Sequence, residues 1–409
     1  MEVRQGYKLT DAGVIPLDWS PLRLGTYVNI KSGESPSLFE FLDFGLPYFK
    51  VEQLNNDNKY LQTTQYKIRP DHRRVPKGSL IFPKRGASIL LNKVRILQED
   101  SFMDTNLMTL TPVDSICNEF LYYALTHIEL WRIADTTSIP QINNKHIQPL
   151  QLPFPPTKAE QEAIAEALRD ADAYIESLER LIAKKRLIKQ GAMQELLTGK
   201  KRLPGFSGEW KENQLGMSAT LKARIGWQGL TTSEYRSIGD YYLVTGTEFQ
   251  AGYIMWDQCH HVDKLRYDQD KNIQVRVHDV LVTKDGTIGK VAIVDKLPKP
   301  ATLNSGVFVI RPINDTFHPE FFYYLLSSSV FTSFLNQLSA GSTINHLYQK
   351  DFVKFRYKVP VQIEEQVQIA DVLAGMDGEI HSLAVKLFKA REIKQGMMQE
   401  LLTGKIRLV

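Results

Sequence analysis

One stretch of this chain occurs twice. Residues 189–200 read KQGAMQELLTGK and residues 394–405 read KQGMMQELLTGK, differing only at Ala192 and Met397. The match runs back without a gap to Glu160-Gln161 and Glu365-Gln366, at a constant offset of 205. A register held over that length points to duplication, and an internal repeat constrains a fold more than any local propensity does. Upstream the halves echo each other loosely. Trp19 and Leu24-Gly25 correspond to Trp210 and Leu215-Gly216 at an offset of 191; Phe82, Lys84 and Gly86 correspond to Val282, Lys284 and Gly286 at 200; Tyr122-Tyr123 corresponds to Tyr323-Tyr324 at 201. The drifting offset means that insertions and deletions fell in these parts and not in the closely matched ones. The chain is built as variable part, helix, variable part, helix.

The matched segments carry a helical signal. Ile164, Leu168, Ala171, Ile175, Leu178 and Ile182 alternate spacings of four and three, as do Ile369, Leu373, Met376, Ile380, Leu383 and Leu387. That is the a/d rhythm of a coiled coil, so these are the expected helix-pairing residues. Pro155-Pro156 and Pro360 mark the starts, and Thr198-Gly199 and Thr403-Gly404 the stops, glycine suiting the left-handed residue past a helix end. About 40 residues at ~1.5 Å each make a rod of roughly 60 Å. Each helix is acidic first (Glu160 to Glu179; Glu364 to Glu379) and basic last (Arg180 to Lys189; Lys386 to Lys394). Parallel copies would set like charges together, whereas antiparallel copies set acid against base. Antiparallel pairing is therefore expected, with a pseudo-two-fold axis across the rod and the globular parts at its opposite ends. Gly191 and Gly396 interrupt both patterns, where a close helix approach or a bend would explain them.

The expected fold is α+β, two mixed α/β domains joined by two long antiparallel coiled-coil helices. Residues 1–155 form the first domain, 156–203 the central helix, 204–358 the second domain and 359–409 the C-terminal helix. The apolar stretch at 79–82 and the valine- and tyrosine-rich stretches at 241–246 and 275–283 read as strands of twisted sheets.

Composition narrows the function. At 409 residues with 43% hydrophobic and 23% charged residues, the chain can bury more than one core. A net charge of +4 permits a nucleic-acid partner without demanding one. The two cysteines, Cys117 and Cys259, lack metal-ligand spacing. No secretory signal and no apolar run of membrane-spanning length is visible, so no membrane partner and a cytoplasmic location are expected. Nothing assembles an acid, a base and a nucleophile. Phe154-Pro155-Pro156-Thr157 lacks both ends of an amino-methyltransferase tetrad, and 286–290 (GTIGK) lacks the spacing of a phosphate-binding loop. Glu392-Ile393-Lys394 lies on the heptad helix, Asp43-Phe44-Gly45 shares only letters with kinases, and His260-His261 beside Asp263 is a poor metal cluster. A non-catalytic chain without metal is expected.

Organisation and motifs together resemble the specificity subunit of type I restriction–modification systems, over essentially the whole chain. The resemblance is carried by PFPPTKAEQ through Glu160-Gln161, PVQIEEQ through Gln366, the helix ends KQGAMQELLTGKKRLPGF and KQGMMQELLTGKIRL, and Gly208-Glu209-Trp210 opening the second domain. It implies a subunit that reads a bipartite, asymmetric site in double-stranded DNA, one domain per half-site. It also implies recruitment of two methyltransferase subunits and, through them, of restriction subunits. The chain itself then needs no cofactor, S-adenosylmethionine, ATP and Mg being expected in the partners. The first domain begins like the family, with 31–36 (KSGESP), whereas the second departs with 222–230 (KARIGWQGL). A DNA-independent scaffold carrying two ligand-binding domains is the alternative.

A DNA reader needs Lys and Arg for phosphates and Arg, Lys, Asn or Gln for base edges. Candidates in the first domain are Lys31, Ser32, Ser35, Lys84, Arg85, Ser88, Asn106, Gln141, Asn143 and Asn144. In the second they are Arg224, Gln228, Lys284, Thr287 and Lys290, then Asn304, Ser305 and Asn345 as secondary candidates, with Trp227 read as packing. The strand followed by a basic turn, at Lys84 and again at Lys284, is the feature the two sets share.

Overall fold

The computed structural model describes residues 4–56, 58–339 and 346–408. Asn345 and the side chain of Trp227 lie outside the described residues. The chain divides into two compact units, Met1–Glu179 with Val385–Val409, and Arg180–Ala384. Each unit thus holds one globular domain, the N-terminal part of one long helix and the C-terminal part of the other.

In the first unit a five-stranded sheet runs in the order Val28–Ser32, Leu107–Pro112, Leu80–Pro83, Arg95–Leu97, Tyr60–Leu61. Its pairs are antiparallel except the last. Leu80–Pro83 is buried along its whole length, which is why it reads as a continuous apolar run rather than an alternation. Phe102–Met103, Leu46–Phe49 and Lys67–Ile68 form a second sheet, and Ser20–Arg23 pairs with Gln151–Phe154. The helix Asn118–Ile128 buries Phe120, Leu121 and Tyr123 in the main core.

The second unit repeats this plan. Ala219–Lys222, Val307–Pro312, Val280–Thr283 and Val291–Ile293 form an antiparallel sheet in that order. His260–Val262, Tyr241–Val244 and Ala301–Leu303 form the smaller sheet, Trp210–Gln214 pairs with Arg356–Pro360, and Pro319–Leu326 is the core helix. Of the expected strand at 275–283 only Val280–Thr283 forms. His278 takes a φ of 69°, which breaks the extended backbone, and before it only the single bridge Gln274 to Thr302 is made.

The long helices are Lys158–Leu196 and Ile363–Leu401, 39 residues each. Their relative direction is read in each unit from the ion pairs. In the first, Asp172 meets Lys394 and Glu179 meets Arg391, both at 2.5 Å. In the second, Lys185 meets Glu379 and Lys189 meets Asp377, both at 2.6 Å. Numbers rise on one helix as they fall on the other, so the pairing is antiparallel in both units. The fold class agrees with the expectation from the repeat, and the pairing direction with the expectation from charge.

The heptad residues serve two partners. Ile164 and Leu168 are fully buried in the first domain's core with Trp19, Phe120 and, from the other helix and the turn that follows it, Met398 and Leu402. Ile369 and Leu373 do the same in the second with Phe321, Leu196 and Leu197. Leu178 and Ile182 are buried, while Ala171, Ile175, Met376, Ile380, Leu383 and Leu387 are half-buried. The first turns of each helix are thus as much domain core as coiled coil. Gly191 and Gly396 have nothing within 4 Å of a built Cβ, which removes close helix approach as their explanation.

Polar contacts fasten the helices to the domains at repeated positions. Gln161 Oε1 accepts from the Cys117 amide, and Gln366 Oε1 from the His318 amide, each at 2.8 Å. Asp172 accepts from the Tyr123 hydroxyl at 2.7 Å, and Asp377 from Tyr324 at 3.0 Å. Glu160, with 1% of its side chain exposed, is held by Arg407, which also binds Asp18 at 2.8 and 2.9 Å. Glu365, equally buried, is held by both Nε and Nη2 of Arg202 at 2.6 Å. Gly404 and Gly199 end the helices at φ of 71° and 70°, and their Cβ positions would press to 3.2 Å on Trp19 and Trp210. The repeated motif is therefore a set of locks: Glu-Gln where a helix enters, and glycine then arginine where the other helix leaves.

Candidate nucleic-acid interface

Strand register sets the site. In the first unit Ser32 lies opposite Met108, and Met108 opposite Phe82. The end of one strand, the start of the next and the end of a third therefore open at the same edge of the sheet. Loops 33–35, 84–88 and 104–106 leave from that edge. The Lys84 amide donates to Asn106 O at 2.8 Å, the Ile142 amide to Lys84 O at 2.8 Å, and the Gly86 amide to Pro140 O at 2.9 Å. Lys84, Arg85, Asn106, Gln141 and Asn143 are thereby brought together, with Ser88 on the short turn Ala87–Leu91.

Local chemistry sorts these candidates. Arg85 is exposed and Lys84 half-buried. Burial, reinforced by the Arg85 charge, holds the Lys84 ammonium below the usual lysine range. Gln141 Nε2 donates to Asn143 Oδ1 at 3.2 Å, and Asn143 precedes the helical turn Asn144–Ile147. The Asn106 amide caps the Asp104 carboxylate at 2.8 Å. Lys31 is tied down, its Nζ donating to the carbonyls of Arg73 and Arg74. Ser35 is spent on Ser37, hydroxyl to hydroxyl at 2.8 Å. Gly33 is obligatory beside them, because a Cβ would sit 1.8 Å from Asp104 O.

The second unit reproduces the same edge. Lys222 lies opposite Val309, and Thr283 opposite Val307. The Lys284 amide donates to Gly306 O and the Leu347 amide to Lys284 O, each at 2.8 Å, the same two bonds that place Lys84. Thr283 Oγ1 closes the turn by donating to Thr287 O at 2.5 Å and accepting from the Lys290 amide at 2.9 Å. Lys284 Nζ sits 5.4 Å over the Phe308 ring. Asn304 donates to Tyr235 Oη at 2.6 Å, its Oδ1 accepts from the Ser305 amide at 2.8 Å, and half-buried Gln228 is in the turn Gly226–Gln228.

Arg224 is a correction. It is 1% exposed and its guanidinium is consumed inside the domain, by Leu303 O at 2.9 Å, Gln269 Oε1 at 2.9 Å, Thr302 Oγ1 at 3.1 Å and Arg266 O at 3.3 Å. Burial pulls its pKa down. Such an arginine ties loops to the strand Ala301–Leu303 and has no reach to a ligand. Two residues absent from the candidates stand at the tip of the turn: Asp285, and His346 whose Nδ1 closely contacts Asp285 Oδ1. They were visible as the partners, at offsets of 200 and 205, of Arg85 and Gln141. Among the described residues no cluster of three or more His, Cys, Asp or Glu could hold a metal ion. No helix among them is long and apolar enough to cross a membrane.

Two domains of one topology, each with a lysine-bearing turn at the same sheet edge and each locked to a long helix, define a duplicated recognition module. The family model for the type I restriction modification DNA specificity domain matches residues 16–185 and 229–386, and the chain belongs to that family. Among relatives, the specificity subunit of the type I restriction enzyme MjaVIII from Methanocaldococcus jannaschii is 23% identical, over 96% of this chain and 94% of that one. Among solved structures, the S subunit of a type I restriction–modification system from M. genitalium shares the fold with a TM-score of 0.58 and 18% identity, covering 97% of this chain and 98% of that one. A chain from a structure addressing complex assembly and conformational transition of the type I restriction–modification system aligns with a TM-score of 0.62 and 16% identity, over 96% and 99%.

Proposed function

We propose that this chain is the DNA sequence-specificity subunit of a type I restriction–modification complex. It reads a bipartite, asymmetric target, one domain per half-site, and carries no catalytic group of its own. The observation that supports this most is the recurrence of one lysine-bearing turn, Lys84 and Lys284, on matching backbone bonds in two domains whose next loop residues, Arg85 and Asp285, differ. A shared cation suits the phosphate backbone, which is alike in any duplex, and differing neighbours suit two unlike half-sites. Its partners are double-stranded DNA, two copies of the methyltransferase subunit and, through them, the restriction subunits. S-adenosylmethionine, ATP and Mg belong to those subunits, and the complex acts in the cytoplasm.

Duplex binding by the full-length chain, measured by fluorescence anisotropy from 50 to 300 mM salt, tests this reading. Each neutralised phosphate contributes about −0.9 to the slope of log K against log salt. Lys84→Glu and Lys284→Glu should each weaken binding and flatten the slope by about one. Salt-independent or absent binding sinks the reading and leaves a DNA-independent scaffold. Mapping methylated sites in cells, then exchanging one domain, should change one half-site and spare the other.

A further inference from the structure

The two lysine-bearing turns agree in backbone and differ in the next side chain. Residues 84–86 are Lys-Arg-Gly and residues 284–286 are Lys-Asp-Gly. Both glycines take left-handed φ, 86° and 66°, and neither has an atom within 4 Å of a built Cβ, so both tips open to solvent. Each tip residue has a polar neighbour at the same place. An isolated antiparallel bridge sets Gln141 against Arg85, and the residue one before Leu347, His346, contacts Asp285. Arg85 is exposed, and Asp285 keeps 44% of its side chain in solvent.

What is identical in two readers can serve only what is identical in their targets. The lysines fit phosphates, and the tip pairs are left to tell one half-site from the other. Their chemistry is opposite. A guanidinium matches the O6 and N7 acceptors of guanine in the major groove, whereas a carboxylate accepts from the N4 amino group of cytosine. A carboxylate is also the wrong charge for a phosphate contact, and with His346 on Oδ1 it is the second oxygen, Oδ2, that remains to accept from a base. We infer that Arg85 reads a guanine in one half-site and Asp285 reads a cytosine in the other, with Gln141 and His346 positioned beside them. This inference rests on the proposed DNA-reading function and names the specificity-determining residues within it.

The test is selection of bound duplexes from a randomised library by the full-length chain, followed by sequencing. Wild-type protein should enrich a two-part motif. Arg85→Ala should erase a guanine preference at one position of one half only, a loss of roughly 5- to 150-fold in discrimination. Arg85→Gln should move that position to adenine, and Asp285→Arg should turn a cytosine in the other half into guanine. Melting curves matching wild type keep these substitutions interpretable, and their exposed turns favour that. Uniform weakening with no base changed, or an unchanged motif, overturns the inference while leaving the proposed function intact. A wild-type chain that binds without selecting any motif overturns the function itself and the inference with it.

Discussion

Replacing Arg407 with alanine isolates a lock that the sequence repeats but does not explain. Arg407 lies six residues past the end of its helix and holds Glu160, which has 1% of its side chain exposed at the start of the other long helix. It also binds Asp18 with both terminal nitrogens, which holds that carboxyl below the usual range. Removing the guanidinium strands Glu160 in the interior, and breaking a buried pair from one side costs about 3–5 kcal/mol. Arg407 keeps 26% of its side chain in water, so the low end, about 3 kcal/mol, is expected. For a unit of about 200 residues this is a fall in melting temperature of roughly 6–12 °C. Differential scanning calorimetry gives the shift, and amide exchange should localise it to Met1–Glu179 with Val385–Val409. The double variant Glu160→Gln with Arg407→Ala should be no worse than Arg407→Ala alone, since no stranded charge remains. Melting within 1 °C of wild type for Arg407→Ala refutes the reasoning, because Glu160 would then be solvated without its partner.

Gly191→Ala and Gly396→Ala should each stabilise the protein by up to ~1 kcal/mol, because both are exposed helix-interior glycines whose added methyl meets nothing; a urea midpoint raised at constant m-value checks it. Arg224→Met should destabilise the second domain by about 2 kcal/mol or more by orphaning buried acceptors such as Leu303 O, yet leave the affinity of the folded fraction for DNA unchanged; a selective loss of affinity at full folding restores Arg224 as a contact. Burial pushes the Tyr357 hydroxyl up to about 12, and it pairs with Ser218 Oγ at 2.6 Å. A raised tyrosine pKa contributes stability that is complete below pH 10 and lost as pH climbs through 12; tyrosinate absorbance should show late ionisation that Tyr357→Phe lowers by one tyrosine, the other buried tyrosines such as Tyr123 and Tyr324 remaining.

The helices were legible because their signal is periodic and summed over some forty residues, and the direction of pairing was legible because charge is segregated along them. Pro155-Pro156 and Pro360 foretold starts at Lys158 and Ile363 to within a few residues. Strands were legible where burial on both faces leaves a pure apolar run, as at Val280–Thr283. They failed at 275–278, where the residue types suit a strand but His278 adopts positive φ. The basic turns were found from the repeat, not from their own composition. Arg224 misled because exposure is not written in a residue: the same arginine serves a phosphate or a ring of carbonyls, and only the strand Ala301–Leu303 beside it decides. Asp285 is not legible from its type, because a carboxylate suits neither phosphates nor most base edges.

The contrast between a gapless helical repeat and drifting domains follows from these contacts. One residue inserted in an α-helix rotates everything beyond it by about 100°. Inserted after Ile175, it would turn Asp172 and Glu160 out of line with Leu178 on the same rod. The ion pairs of Asp172 with Lys394 and of Glu160 with Arg407 could then not coexist with burial of Leu178. No local repair exists, since the helix transmits the rotation. A residue inserted in a loop such as 286–289 is absorbed between two strands whose register is set elsewhere, by Val280 to Ile310 and its neighbours. The parts that must match are those whose errors propagate, and the parts free to differ are the loop tips, which is where a reader of unlike half-sites has to differ.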